Sequence, residues 1–218
     1  MRQLARELAI MNARRFVYGL AMLLLSGIAA PSYATEPSRA PSAFVADLAE
    51  KTHAVLLAPN SQTFSSADRQ RHLGGLLNTS FDVPRIASFV LGRYWQEASE
   101  VERHDFTAVL REFMLRVMSR NFTGYSERSF RVIGQRAEGP AGTVVHTEIN
   151  HPASGQPIRV AWHVIDRGGY RIVDMSVAGV SMAQAKRDEF SSYLWGNGGD
   201  LPDLIYRLQS IMSAQQSP

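Results

Sequence analysis

Three side chains in a strand-rich part of the sequence have the types that acid–base catalysis uses. His163, Asp166 and Asp174 lie close together in the chain, and an imidazole beside a carboxylate can exchange a proton with a substrate. Strand alternation, however, places His163 and Asp166 on opposite faces of a sheet. We therefore expect Asp166 to cap a turn, Asp174 to form a structural ion pair, with an arginine as the candidate partner, and His163 to be a half-buried strand residue.

The other chemistry-bearing residues form no recognisable catalytic or metal-binding motif. The six histidines are His53, His72, His104, His146, His151 and His163. None is paired with another at i, i+4 on a predicted helix, and only His146 and His151, which flank a strand end, give a weak metal signal. The chain has no cysteine, which excludes disulfides, thiol catalysis and zinc–cysteine sites. We expect no catalytic residue, no metal and no cofactor.

The N-terminal segment has the pattern of a secretory leader. Arg14 and Arg15 precede an apolar run at 16–30, and the small residues of Ser32-Tyr33-Ala34 follow it. A charged start, a short apolar centre and an A-x-A-like end are typical of a signal peptide. We expect residues 1–34 to be removed after Ala34 and the protein to be exported; an uncleaved membrane anchor is the alternative.

Charge and length bound what the exported chain can be. The full chain carries a net charge of +3, and the first 34 residues account for it, so the remainder is neutral. A neutral chain lacks the clustered basic residues that nucleic-acid binding requires. Residues 42–213 contain no Pro/Gly/Ser-rich linker and are long enough for one well-buried domain. We expect 35–41 to be a flexible leader to this domain and 214–218 to be a tail.

Helical patterns occupy the first half of this domain. Each predicted helix has a side chain suited to capping its N-terminus. The candidate caps are Ser42, Ser65 or Ser66, Asp82 and Ser99. Ser99 and Glu102 have the spacing of a capping box, and the helix behind them carries an apolar stripe rich in Phe and Met. Such a stripe is usually core packing, and the alternative is a wall that adapts to an apolar guest.

Four strand-like segments follow, and two more helices end the domain. The strands are expected at 129–135, 143–150, 158–166 and 170–177, joined by short turns that predict an antiparallel meander. On the third strand one face carries Ile158, Val160, Trp162 and Val164. Ser181 and Asp200 are expected to cap the last two helices. The sequence therefore predicts an α+β fold with helices packed on a curved four-stranded antiparallel sheet.

Five short segments carry a family resemblance. Residues 81–87 (FDVPRIA) and 90–95 (VLGRYW) are similar to the MlaC/toluene-tolerance family of periplasmic lipid-binding proteins, as are 170–174 (YRIVD), 178–181 (AGVS) and 186–190 (KRDEF). The resemblance spans nearly all of the domain. Tyr170 stands where the family usually has Trp, and Ala178 stands where it usually has Glu.

The resemblance implies a carrier and no covalent chemistry. Proteins of this family enclose the acyl chains of a phospholipid in an apolar cavity. They shuttle it across the periplasm between an outer-membrane lipoprotein/porin complex and an inner-membrane ABC transporter complex with its lipid-binding membrane protein, which maintains outer-membrane lipid asymmetry. A branch of the family associated with hopanoid synthesis leaves a hopanoid or another apolar lipid as an alternative cargo.

Candidate lipid-binding residues follow from the resemblance and from the need for a dry apolar wall. The mouth is expected at Phe89, Tyr94 and Trp95, the helical wall at Phe113, Met114 and Val117, and the sheet wall at Val160, Trp162 and Val164, with Tyr125 also assigned to lipid binding. The structural residues of the family motifs are expected to be Asp174, Gly179, Ser181 and Arg187. We expect Val117→Arg or Val164→Asp to abolish lipid loading without preventing export.

Two other protein classes remain open from the sequence. A cone-shaped α+β enzyme would also enclose an apolar pocket, with an Asp–His or Tyr pair at its base. A chaperone or adaptor would bind protein through an exposed apolar groove on its helices.

Overall fold

The computed structural model describes residues 39–57, 65–121, 130–150 and 156–214. The expected signal peptide, Tyr125, His151 and most of the expected tail lie outside these ranges. The described helices are α1 (Arg39–Leu57), α2 (Ser66–Ser80), α3 (Val83–Leu91), α4 (Arg93–Glu97), α5 (Glu100–Asn121), α6 (Met182–Gly196) and α7 (Leu201–Ala214). The described strands are β1 (Phe130–Ala137), β2 (Thr143–Asn150), β3 (Pro157–Asp166), β4 (Tyr170–Val177) and β5 (Val180–Ser181). Among these helices, none combines the length and apolar character needed to cross a membrane.

The strands form one antiparallel meander, and the α+β prediction is confirmed. The strand order is β1-β2-β3-β4-β5, and each strand pairs antiparallel with the next. The sheet has five strands rather than four, because β5 has two residues and is too short for an alternation pattern to predict. Register shifts between Val132 and Gly134 and between His163 and Val164 interrupt the ladders. Bulges of this kind add local twist and bend to the strands.

The helix starts follow local capping chemistry at five of the six predicted positions. The confirmed N-caps are Ser65, Asp82, Ser99, whose hydroxyl accepts from the Glu102 amide, Ser181, and Asp200, whose carboxylate accepts from the Asp203 amide. The prediction for Ser42 is wrong, because α1 begins at Arg39 and Ser42 lies inside it. Pro41 is tolerated in that first turn, since the backbone N–H it lacks would have no intrahelical partner. Part of the range expected to be a leader is therefore helical.

Two capping boxes are expected to make the helices sensitive to acid. Hydrogen bonds from Ser65 and Ser99 lower the pKa of the Asp68 and Glu102 carboxyls below their ordinary values of 3.8 and 4.5. A carboxyl whose pKa is lower in the folded state stabilises the fold above its unfolded pKa, and the effect is lost as the pH falls through the folded pKa. We expect the Asp68→Asn, Glu102→Gln double variant to lose less thermal stability than the wild type between neutral pH and roughly pH 3. Thermal melts of both proteins across that range check this, and parallel acid-induced losses would contradict it.

The described apolar residues form three buried clusters. The helix cluster joins α3, α5, α6 and α7 and includes Ile86, Val90, Leu91, Phe106, Phe190, Leu194, Leu204 and Leu208. The sheet cluster joins α1 to the sheet and consists of Val45, Leu48, Val145, Ile149, Val160, Trp162, Val164 and Ile172. The α2 cluster consists of Leu73, Leu77, Val83 and Leu115. The rings of Phe106 and Phe190 meet edge to face at 5.8 Å, so the helix cluster is held by a specific aromatic contact.

Candidate functional site

The three clusters meet at a small set of half-buried apolar side chains, which we call the junction. Phe81 packs against all three clusters, Leu76 packs against the sheet and α2 clusters, and Met114 packs against the helix and α2 clusters. The backbone at this point is tied to the sheet, since the amide of Asp82 donates to the carbonyl of Ile172 at 3.0 Å. The junction is therefore where the helical layer and the sheet touch through apolar side chains that remain partly accessible.

A cleft of about 570 Å³ lies between α1 and α2 and borders this junction at Leu76. It is lined by Lys51, Ala54, Val55, Arg71, His72, Gly75, Leu76 and Thr79. Two of these side chains also belong to the interior: Leu76 is part of the junction, and Val55 packs against the α2 cluster. The floor of the α1–α2 cleft is therefore continuous with the apolar core, and its volume lies within the range of small-molecule sites.

The rim of the cleft carries cations that are held only by surface ion pairs. Lys51 Nζ lies 2.8 Å from Asp47 Oδ2, and both side chains are more than half exposed. Arg71 contacts the carboxylate of Asp68. Exposed pairs of this kind contribute at most about 1 kcal/mol. Lys51 and Arg71 can therefore exchange their carboxylate partners for an anionic group on a ligand.

Gly75 keeps the floor of the cleft open. A Cβ at Gly75 would meet nothing within 4 Å, whereas at the neighbouring Gly74 it would lie 3.1 Å from Arg111 Nη2. Glycine inside a helix costs about 0.5–1 kcal/mol relative to alanine. At position 74 the Arg111 guanidinium would have to shift by a few tenths of an ångström, and at position 75 no neighbour requires glycine. What Gly75 supplies is empty space along the cleft.

The predicted sheet wall is buried. Val160, Trp162 and Val164 lie side by side on the inner face of β3, as the alternation predicted, and all three belong to the sheet cluster. The indole Nε1 of Trp162 donates to Thr147 Oγ1 at 2.9 Å, and that hydroxyl donates to the Val160 carbonyl at 3.2 Å. Thr147 is 0% exposed, so each of these polar atoms has a partner inside the protein. Sequence reasoning missed Thr147; its place opposite Val160 in the β2–β3 register is the signal that identifies it.

The predicted mouth and helical wall lie on a different part of the core. Tyr94 is buried in the helix cluster, and Trp95, Phe113 and Met114 are half-buried against it. Phe89 and Val117 are more exposed, at 40% and 37%. The structure thus brings Tyr94, Trp95, Phe113 and Met114 together and separates them from the sheet wall. The two groups approach each other through Phe81 of the junction, and their assignment to lipid binding stays a prediction.

The carboxylates singled out by sequence act in local structure. Asp166 Oδ1 accepts from the amide of Gly169 at 3.0 Å, which confirms the turn cap. The ion pair expected for Asp174 is absent among the described residues. Its two oxygens accept instead from Ser181 Oγ at 2.6 Å and from the amide of Ala183 at 2.9 Å. Asp174 therefore anchors the start of α6, where N–H groups without an intrahelical partner favour a carboxylate.

The other structural motif residues lie near α6. Gly179 has φ +85° in the turn between β4 and β5, where the left-handed backbone suits glycine. Arg187 donates to the carbonyl of Phe89 at 3.2 Å, which joins α6 to α3.

The predicted half-buried position of His163 is confirmed. It lies opposite Asp174 in the β3–β4 register, and its Nδ1 is 3.9 Å from Glu138 Oε2. Within the described ranges, no three His, Cys, Asp or Glu side chains converge as a metal site would require. The α1–α2 cleft is lined by one histidine, His72, whose Nδ1 lies 2.8 Å from the backbone carbonyl oxygen of Asp68.

Two comparisons connect this geometry to known proteins. The model of a protein family described as MlaC protein matches residues 46–210, which is most of the chain. A solved structure of the phospholipid-binding protein from Ralstonia solanacearum, in complex with a phospholipid, superposes with a TM-score of 0.66. The two sequences are 15% identical, and the match covers 82% of this chain and 99% of that one. At this identity the likeness establishes a shared fold.

Proposed function

This chain belongs to the MlaC protein family, and from that premise we propose that it is a phospholipid carrier that acts by binding and release. The observation that carries the proposal is the α1–α2 cleft, which has a cationic rim, an apolar floor and direct access to the junction. A lipid with a charged headgroup and apolar tails has the same distribution of chemistry. Binding and release of a lipid need no covalent step.

Acyl chains are proposed to enter along Val55 and Leu76 and to part the helices from the sheet at the junction. They would then lie against the sheet wall, whose polar atoms are already paired inside the protein. Each buried methylene contributes about 0.8 kcal/mol, so acyl chains reaching the wall outweigh the loss of motional freedom on binding. The headgroup phosphate would stay at the rim beside Lys51 and Arg71. At that position it remains in contact with water.

The place of action is proposed from the N-terminal leader and the family. Removal of residues 1–34 would deliver the protein to the periplasm, where it would move lipid between an outer-membrane lipoprotein/porin complex and an inner-membrane ABC transporter complex. This transfer would serve outer-membrane lipid asymmetry. A neutral exported chain has no strong overall field to steer it, so each partner is expected to recognise a local surface.

Native mass spectrometry of the purified protein, followed by solvent extraction of any adduct, tests the proposal. We expect a stoichiometric adduct that extracts as a diacyl phospholipid, and we expect the apo protein to regain it from vesicles. A hopanoid in the extract would support a lipid carrier whose cargo is a hopanoid and not a phospholipid. A protein that is free of lipid as purified and takes up none from vesicles would contradict the proposed function and favour the enzyme or the adaptor.

A further inference from the structure

A second cleft, of about 400 Å³, shares no lining side chain with the α1–α2 cleft. It is formed where the break between α3 and α4 faces α6, and it is lined by Gly92, Arg93, Tyr94, Arg187, Ser191, Ser192 and Trp195. None of these side chains is aliphatic. The lining consists of two guanidinium groups, two serine hydroxyls and two aromatic rings, around a glycine.

The two guanidinium groups have no carboxylate partner. Within the described residues, neither Arg93 nor Arg187 has a carboxylate oxygen within 4.0 Å. Arg93 donates to the hydroxyl of Tyr94 at 2.8 Å, and Glu97 acts on it only as a minor Coulombic influence. Arg187 donates to a backbone carbonyl on α3. Both positive charges are therefore available to an anion from outside.

The rings of Tyr94 and Trp195 position the Arg93 guanidinium, and Gly92 leaves room for that of Arg187. The guanidinium carbon of Arg93 lies 4.7 Å from the Tyr94 ring centroid and 5.2 Å from that of Trp195. At Gly92, where φ is +56°, a Cβ would come within 3.0 Å of Arg187 Nη2. Glycine at this position thus both makes the helix break and admits the guanidinium. The two arginines are ordered by the protein itself, which lowers the entropy lost when they bind a ligand.

The same surface exposes large aromatic side chains. Trp195 is 75% exposed and Phe89 is 40% exposed, and the guanidinium of Arg187 lies over the Phe89 ring at 5.0 Å. Tryptophan is enriched where a lipid bilayer meets water, because its ring is apolar and its N–H is polar. Arginine beside it suits phosphate, which accepts paired hydrogen bonds from a guanidinium group. We call Phe89, Arg93, Arg187 and Trp195 the arginine–tryptophan patch.

We propose that the arginine–tryptophan patch docks the protein on the phosphate headgroups of an anionic phospholipid bilayer. The unpaired guanidinium groups complement headgroup phosphates, and the exposed rings fit the interfacial layer. The inference rests on the proposed function, in which the carrier meets complexes embedded in two membranes, and adds a contact with the lipid that surrounds them. It uses α3, α4 and α6 and not the α1–α2 cleft, so the two can fail separately.

Vesicle sedimentation tests this docking. The purified protein is mixed with vesicles of phosphatidylcholine alone or of phosphatidylcholine with phosphatidylglycerol, at low and at high salt. We expect binding to the anionic vesicles only, and we expect salt to weaken it. Each of Arg93→Gln and Arg187→Gln should reduce binding about fivefold, and the double variant about 25-fold. Arg159→Gln, on an exposed arginine of the sheet that pairs with Glu148 at 3.4 Å, is the matched control and should bind as the wild type does.

Tryptophan fluorescence locates the contact. Trp162 is buried and Trp95 is half-buried, whereas Trp195 is largely exposed, so a blue shift on adding anionic vesicles should come from Trp195. Trp195→Phe is expected to remove the shift. Arg93 is exposed, so Arg93→Gln still tests the docking if Arg187→Gln lowers stability by losing its hydrogen bond to α3.

Three results would overturn the docking. They are equal binding to neutral vesicles, unchanged binding by both arginine variants, and displacement of the protein by inorganic phosphate at concentrations that leave the ionic strength unchanged. The last result would identify a site for free phosphate. If the wild type carries no lipid in native mass spectra but the patch variants still lose vesicle binding, the cargo proposal fails and the docking stands. If the patch variants load cargo and bind vesicles as the wild type does, the docking fails and the cargo proposal stands.

Discussion

The Gly75→Phe protein is expected to purify without bound phospholipid. The new ring would project into the α1–α2 cleft, since a Cβ at this position meets no protein atom within 4 Å. A ligand that loses contact for only about four methylenes loses about 3 kcal/mol, or on the order of 100-fold in affinity. Native mass spectra of the variant should therefore show the apo mass alone, and uptake from vesicles should fall below detection.

Gly75→Ala is the matched control for this substitution. Alanine removes the helix penalty of glycine but adds a single methyl group, so it should raise the free energy of unfolding by about 0.5–1 kcal/mol and leave lipid loading intact. Circular dichroism melts verify that the phenylalanine variant is folded. A folded Gly75→Phe protein that still carries lipid at the wild-type ratio would show that the cargo does not pass through this cleft.

The second large effect is expected at the sheet wall. Val164 is 2% exposed in the sheet cluster, so Val164→Asp places a carboxylate among the apolar side chains of that cluster. Burying such a group without a partner costs several kcal/mol, a large part of the 5–15 kcal/mol that holds a typical domain folded. Urea denaturation should show a loss of at least about 4 kcal/mol or no folded protein. The variant is therefore expected to fail by unfolding, and not by the clean loss of lipid that the sequence alone suggests.

Ile165→Asp provides the comparison for Val164→Asp. Ile165 is the next residue on β3 and is half-buried on the opposite face of the sheet, so a carboxylate there keeps access to water. We expect it to cost less than half as much stability. A Val164→Asp protein that unfolds at the wild-type urea concentration and yet lacks lipid would refute the stability argument and restore Val164 as a pure ligand contact.

Sequence patterns predicted the parts of this fold that depend on near neighbours. The cap at Ser65, the capping box at Ser99 and the alternation of Val160, Trp162 and Val164 on β3 depend on residues a few positions apart, and all are confirmed. The prediction of a cap at Ser42 is wrong because Pro41 lies within the first turn of α1 and not before the helix. Proline is equally acceptable within the first turn, and local signals do not distinguish the two positions.

The candidate site was harder to predict because it depends on contacts between distant segments. Phe, Met and Trp on strongly patterned elements suggested a wall, but the pattern does not say which cluster each side chain joins. The space itself is provided by Gly75 and bordered by Leu76, on a helix whose two adjacent glycines suggest only weak helix propensity. Thr147 was missed for the same reason, since its role depends on the register between β2 and β3.

The division of the interior into separate clusters has a consequence for how fast cargo can be exchanged. Since Phe81 and its few half-buried neighbours are what join the helix cluster to the sheet cluster, the layers can part there while each remains packed. Parting at the junction is then a sub-global fluctuation, with a free energy below that of complete unfolding. Amide hydrogens at the start of α3 would exchange with solvent faster than those of Phe106 and Phe190, whose rings pack together in the helix cluster. The residence time of the lipid would then depend on the free energy of parting at the junction and not on that of complete unfolding. A carrier of this design can exchange its cargo while the helix cluster and the sheet cluster each stay packed.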